Sequence, residues 1–183
     1  MKKFVKETES PLIIPRPVAL VTSHSPEGDN IITLSWVSIV CSLPPMIGIS
    51  IRKKRYSYSV IEKSGEFVVN IPGAGLVKEA DFCGTRSGRD VDKFEETGLT
   101  KEKAEFVNIP LIKECPINIE CKLRRTVELG SHTLFLGEVV GTHIDEKILT
   151  DGKFDDEKML PLTYLSPHYF TVKGIEGAYG YTK

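Results

Sequence analysis

Short β-type runs, each fenced by proline, glycine or a cluster of polar turn formers, recur along this chain and constrain its fold more than any other feature. Residues 18–22 form the first run, entered through Pro15-Arg16-Pro17 and left through Ser25-Pro26-Glu27-Gly28-Asp29-Asn30. Proline presets φ and glycine supplies positive φ, so that exit predicts a hairpin into the next run, residues 31–40. Residues 46–51 follow the stop Leu43-Pro44-Pro45, and residues 67–71 lie between Gly65 and Pro72. Residues 117–123 alternate apolar and polar side chains, the pattern of a strand with one buried face. The longest run, 133–144, carries Gly137 and Gly141, where a strand bends or bulges. Fewer segments read as helix: 56–63, closed by Gly65, then 76–82 and 92–97. Between the last two lies a polar, glycine-bearing loop, 83–90, poised to cover something. Residues 145–160 are charged and weakly patterned, as a surface excursion would be. The pattern predicts a mainly β fold with short helices, an antiparallel barrel or sandwich, in a single domain spanning residues 1–183.

A chain of 183 residues buries enough surface to fold without disulfides or a structural metal. Its 24 lysines and arginines nearly balance 25 aspartates and glutamates, against the basic excess of a nucleic-acid coat. Acidic residues interrupt the amino terminus before any apolar run develops, so no signal peptide is expected. No apolar stretch approaches the ~20 residues of a membrane helix. Cys41, Cys83, Cys115 and Cys121 form no CxxC pair, and histidines do not cluster near them, so no metal site is expected. Scattered free thiols fit a reducing, cytoplasmic setting.

Two stretches carry chemistry. In the first, hydroxyls recur at Thr33, Ser35 and Ser38 within an apolar strand that ends at Cys41-Ser42-Leu43-Pro44-Pro45. They fit the solvated face of an edge strand. They also fit the lining of a planar heterocycle, which needs flat apolar walls and donors aimed at its carbonyls. In the second, Arg52-Lys53-Lys54-Arg55 follows a strand and precedes a helix that starts at Tyr56-Ser57. It fits an exposed charged turn. It fits equally a phosphate site assembled from guanidinium, hydroxyl and helix-start amides.

Taken in order, a set of individually weak motifs resembles the flavin reductase-like family, and within it the flavoredoxin and archaeal ferric reductase branch. The set begins with Arg16-Pro17-Val18-Ala19-Leu20-Val21-Thr22, Asn30, Ser35-Trp36, Ser42-Leu43-Pro44-Pro45-Met46-Ile47 and Tyr56-Ser57. It continues through Glu66-Phe67-Val68-Val69-Asn70-Ile71-Pro72, Cys83-Gly84 and Asp92-Lys93-Phe94-Glu95. It ends with Ile119-Glu120-Cys121, the stretch from His132 to Val139 and Pro161-Leu162-Thr163-Tyr164. The resemblance implies an FMN-binding split β-barrel of Greek-key type, usually a homodimer with FMN near the subunit interface. By position it implies that the strand from Thr33 through Leu34, Ser35 and Trp36 to Ser38, with the turn Val40-Cys41-Ser42, lines the isoalloxazine ring, and that Asn30 also binds the cofactor. Ser50, Arg52 and Ser57 would hold the phosphate, with Lys53 among the cofactor-binding residues. Cys83, Gly84, Thr85 and Lys93 would close over the cofactor, and His132 would stand beside the flavin and the incoming nicotinamide.

The function so implied is an oxidoreductase taking electrons from NADH or NADPH onto FMN and passing them to free flavin, ferric iron or a partner protein. No GxGxxG follows a strand, so the reductant would have no Rossmann domain of its own. An FMN electron carrier that does not react with nicotinamide is the competing reading. A small barrel binding nucleic acid is disfavoured by the charge balance and by the lack of paired aromatics in the strands.

Overall fold

The computed structural model describes residues 12–155 and 157–172. Seven strands form one antiparallel sheet: β1 (Ala19–Ser25), β2 (Gly28–Leu34), β3 (Val37–Ser42), β4 (Pro45–Ile51), β5 (Glu66–Ile71), β6 (Ile117–Glu128) and β7 (Thr133–Ile144). Their order in the sheet is β2-β1-β5-β6-β7-β4-β3. Strands β2 and β3 are therefore consecutive in the chain but lie at opposite edges. The sheet curls until those edges face each other, and Ile32 of β2 joins the same buried cluster as Ile47 and Ile49 of β4. Alternating inward residues of the strands, among them Val21, Val69, Cys121 and Phe135, fill the barrel around Phe67.

The largely apolar run over residues 31–40 predicts one strand, and the barrel breaks it. At Ser35 and Trp36 the chain leaves one edge and enters the other, where the Trp36 carbonyl accepts from Ser50 N at 3.0 Å. The predicted hairpin is present, with β1 and β2 in register from Ala19↔Leu34 to Ser25↔Gly28. The glycines of β7 mark register shifts at Leu136/Gly137 and Val139/Gly141. Gly137 is obligatory, because a Cβ there would collide with the Phe67 ring in the core.

Three helices lie outside the barrel: α1 (Tyr56–Ser64), α2 (Val77–Thr85) and α3 (Lys93–Thr97). Helix α1 ends at Gly65, φ 68°, whose N–H donates to Ile61 O. Helix α2 runs further than the sequence suggests. Cys83, Gly84 and Thr85 are helical and do not form a loop, because Cys83 packs into a second core cluster with Ala80, Leu20 and Ile31. Gly84 lets the helix lie close to β2, since a Cβ there would meet Thr33 Cβ at 3.3 Å. Helix α3 is capped by Asp92, whose carboxylate accepts from Phe94 N and Glu95 N. Arg16–Pro17, Leu162–Leu165 and His168–Thr171 form a separate three-stranded sheet, and within the charged stretch expected at the surface Leu149–Thr150 pairs with Lys153–Phe154 in a small hairpin while Ile148 and Met159 are buried.

Candidate functional site

The turn after β4 delivers its bases to the start of α1. That helix has Arg55 at its N-cap with no side-chain cap bond, and no acidic residue in its first turn. Its leading N–H groups and the positive end of its dipole are thus offered to a ligand. Opposite stands the loop after α2, with Arg86, Ser87, Gly88 and Arg89. Together with Asn30, Ile32, Tyr56, Ser57 and Lys93 the two segments enclose a pocket of about 290 Å³. Arg52, Lys54, Arg55, Arg86, Arg89 and Lys93 all line it, and among the described residues no carboxylate does.

Four of these cations meet carbonyls or rings. Arg55 Nη1 donates to Gly84 O at 3.4 Å, and Arg89 Nη1 to Lys54 O at 3.2 Å, so each wall of the pocket holds an arginine from the other. The Arg89 guanidinium also lies 5.4 Å over the Tyr56 ring. Lys93 is buried, 3% exposed, and donates to Ile31 O and Cys83 O, both at 2.7 Å. Burial lowers its pKa from 10.5 to about 8, and Arg55 pushes the same way.

The floor of the pocket holds an unmet acceptor. Asn30, 3% exposed, donates through Nδ2 to Ser57 Oγ at 2.7 Å, while its Oδ1 is buried with no partner among the described residues. Gly88 faces that oxygen so closely that any Cβ would collide with it. A buried polar atom without a bond is costly, so a ligand hydroxyl or amide donor is what this corner lacks.

A second group adjoins the first through Arg52. Its Nε donates to His132 Nε2 at 3.3 Å, and His132 Nδ1 lies 2.8 Å from Ser131 Oγ. Accepting at Nε2 requires a neutral ring with its proton on Nδ1. Partial burial and the neighbouring Arg52 lower the His132 pKa, in keeping with that state. The imidazole stacks on Trp36, centroids 4.3 Å apart at 25°. The strand switch at Trp36, the β6–β7 turn and the basic turn thus converge on one surface.

Of the other residues singled out from the sequence, Leu34 packs against the barrel core, and Thr33 Oγ1 donates to Ala80 O at 2.6 Å, pinning α2. Ser35, Val40, Cys41 and Ser42 line the exposed edge beyond Trp36, with the Cys41 thiol donating to Leu43 O. Ser50 lies in β4 opposite Leu134. Lys53 points away from the pocket and pairs with Glu128 at 2.7 Å. In a turn of four consecutive bases, Arg52, Lys54 and Arg55 face the cavity and Lys53 faces out. Cys83 reaches the site only through its carbonyl, and Thr85 Oγ1 donates back to Asp81 O. Burial pushes the Cys83 thiol up to about 11, so it is protonated and a poor nucleophile at neutral pH. The sequence offered Lys54, Arg55 and Tyr56 only as part of the basic turn before α1, and it missed the whole Arg86–Arg89 wall. Two arginines flanking Ser-Gly in a predicted loop were the available signal.

The family described as Flavin reductase like domain matches residues 12–173. The chain belongs to this family. As a flavin reductase-like protein it is similar to a flavoredoxin from Methanosarcina acetivorans, 36% identical with a TM-score of 0.91 over 99% of this chain and 97% of that one. It is similar also to the flavoredoxin of Desulfovibrio vulgaris (Miyazaki F), 34% identical with a TM-score of 0.91 over the full length of both. An Archaeoglobus fulgidus protein of uncharacterized function is 41% identical over 130 residues, 70% of this chain and 72% of that protein. The flavin reductase-like barrel seen here is the split barrel that its sequence resemblance implied.

Proposed function

We propose that this protein binds FMN in the basic pocket and uses it to carry electrons from NADH or NADPH to an acceptor. The observation that carries the reading is the pocket itself: six cations without a carboxylate, at an uncapped helix start, around a buried acceptor that lacks a donor. A phosphate monoester answers the cations and the helix amides. A polyol hydroxyl answers Asn30 Oδ1. In this reading Arg52, Lys54, Arg55 and Ser57 hold the phosphate, and Lys93 adds a buried charge. Trp36 and neutral His132 flank the ring on the far side of Arg52. Bound FMN supplies the hydride acceptance and the one- or two-electron relay, and the protein supplies binding and orientation. His132 then orients the nicotinamide by accepting a hydrogen bond once Arg52 turns to the phosphate.

Strand β3 supports a homodimer. It is an edge strand, and Ile39 is 80% and Leu43 89% exposed beside it, with Val40 and Trp36 also uncovered. A second copy laid along this edge would bury them and wall the flavin. Among the described residues no helix is long and apolar enough to cross a membrane. The free cysteines fit a cytoplasmic protein.

The likeness to flavoredoxins favours a second reading, an FMN electron carrier that ignores nicotinamides. Anaerobic rapid mixing of the FMN-loaded protein with NADH and with NADPH separates the two. Bleaching of the flavin absorbance is expected with at least one of them. No bleaching with either gives the carrier reading the lead, and failure to take up one FMN per chain contradicts both.

A further inference from the structure

The phosphate pocket has a neighbour. A groove of about 740 Å³ lies on the other side of Tyr56 and Arg89, which line both spaces. Its walls include Pro26 and Val60, and Lys63 from the last turn of α1 joins Arg89 as its second cation. Glu27 is its one carboxylate. His24 is already paired with Asp29 at 2.8 Å, and Asp29 with Lys101 at 2.7 Å, so those charges are spoken for.

The charge count asks for more than one phosphate. A phosphate monoester carries about −1.5 to −2 near neutral pH. One such group leaves most of the six pocket cations unmatched. A dinucleotide passing the same wall brings a pyrophosphate, and a ribose 2′-phosphate brings about two charges more. Flat apolar and aromatic walls beside a guanidinium suit an adenine ring.

We propose that the groove holds the adenosine half of the reductant and that Lys63 and Arg89 select the form bearing a 2′-phosphate, NADPH over NADH. The proposal rests on the flavin reading of the adjoining pocket. Arg89 serves both spaces, so Lys63, which lines only the groove, is the residue to change. Glutamine there keeps helix propensity and removes the charge.

Calorimetric titration at low ionic strength, where exposed charges are least screened, compares 2′-phospho-ADP-ribose with ADP-ribose on the FMN-loaded protein. The phosphorylated probe is expected to bind roughly tenfold more tightly, and Lys63→Gln to shrink that ratio to about twofold. FMN affinity, read from flavin fluorescence, stays within about twofold in the variant, because Lys63 does not line the pocket. Equal binding of the two probes to the wild type overturns the proposal and leaves the flavin reading intact. A ratio unchanged in Lys63→Gln overturns it also. A protein that discriminates between the probes yet takes up no FMN supports the groove and sinks the flavin reading.

Discussion

Two buried charges, Glu120 and Lys93, are treated in opposite ways. Glu120, fully buried in β6, accepts from Glu105 N at 3.0 Å, Phe106 N at 2.6 Å, Val107 N at 2.9 Å and His143 Nε2 at 2.6 Å. Burial pushes its pKa up, but His143 and the three backbone N–H groups outweigh that and hold it below the ordinary carboxylate range. The result is a strap, residues 104–111, whose Ala104, Val107, Ile109 and Leu111 cover Val68. Lys93 has two carbonyls and no anion, and its pKa falls. A buried charge whose bonds are complete holds a fold together. One left short beside a cavity marks where a ligand brings what is missing.

The comparison breaks first at Glu120. Glu120→Ala leaves three N–H groups and His143 without their acceptor and should cost about 3–5 kcal/mol, roughly a 10 °C fall in Tm. FMN affinity of the folded protein should hold. Loss of FMN binding without loss of Tm would reverse the assignment. The pH dependence has a definite sign. A carboxylate whose folded pKa is lowered adds stability above its ordinary value, and that stability is lost as pH falls through the folded pKa.

Lys93 should behave in the converse way. Its folded pKa, about 8, lies below the ordinary 10.5, so the ligand-free protein gains stability as pH rises through that window. Affinity for FMN should fall over the same rise, because the cation is being lost. Lys93→Met should weaken FMN roughly tenfold to a hundredfold at pH 7 and flatten that pH dependence. A pH-independent affinity in the wild type would show that Lys93 does not face the phosphate.

His132→Ala sharpens the contrast between holding and orienting. FMN should remain bound, while bleaching by NADH or NADPH slows about fivefold to a hundredfold, the loss of ~1–3 kcal/mol of positioning bonds. An unchanged rate in rapid mixing would return this histidine to a surface-turn role. The smallest effect belongs to Lys53→Ala. Its ion pair with Glu128 is exposed and screened by solvent, so Tm should barely move and FMN affinity should stay within about twofold.

Much of this was legible in the residues. Turn chemistry at Pro26-Glu27-Gly28 announced the first hairpin, Gly65 announced the end of α1, and Gly137 and Gly141 announced the bends of β7, because each is a local backbone requirement. The basic turn pointed to a cluster of cations, and three of its four bases line the pocket. What stayed hidden depends on tertiary placement. Nothing in a strand-like run without proline or glycine says that Ser35-Trp36 crosses from one sheet edge to the other. Gly84 reads as a helix breaker until Thr33 is seen pressing on it. The Arg86–Arg89 wall meets the Arg52–Arg55 turn only through the fold. Lys53 and Lys54 are indistinguishable in sequence, yet only Lys54 lines the pocket.

The central claim is that the basic pocket holds the phosphate of FMN, and riboflavin, the same molecule without that phosphate, tests it most directly. Both flavins are titrated into flavin-free wild type and Arg52→Ala, with quenching of flavin fluorescence as the readout. The wild type should bind FMN far more tightly than riboflavin, at one per chain. Arg52→Ala should weaken FMN by roughly tenfold to a hundredfold, one charge-assisted contact of about 1.5–3 kcal/mol, and leave riboflavin nearly unchanged. Equal affinity of the wild type for the two flavins, or equal losses for both in Arg52→Ala, would contradict the account.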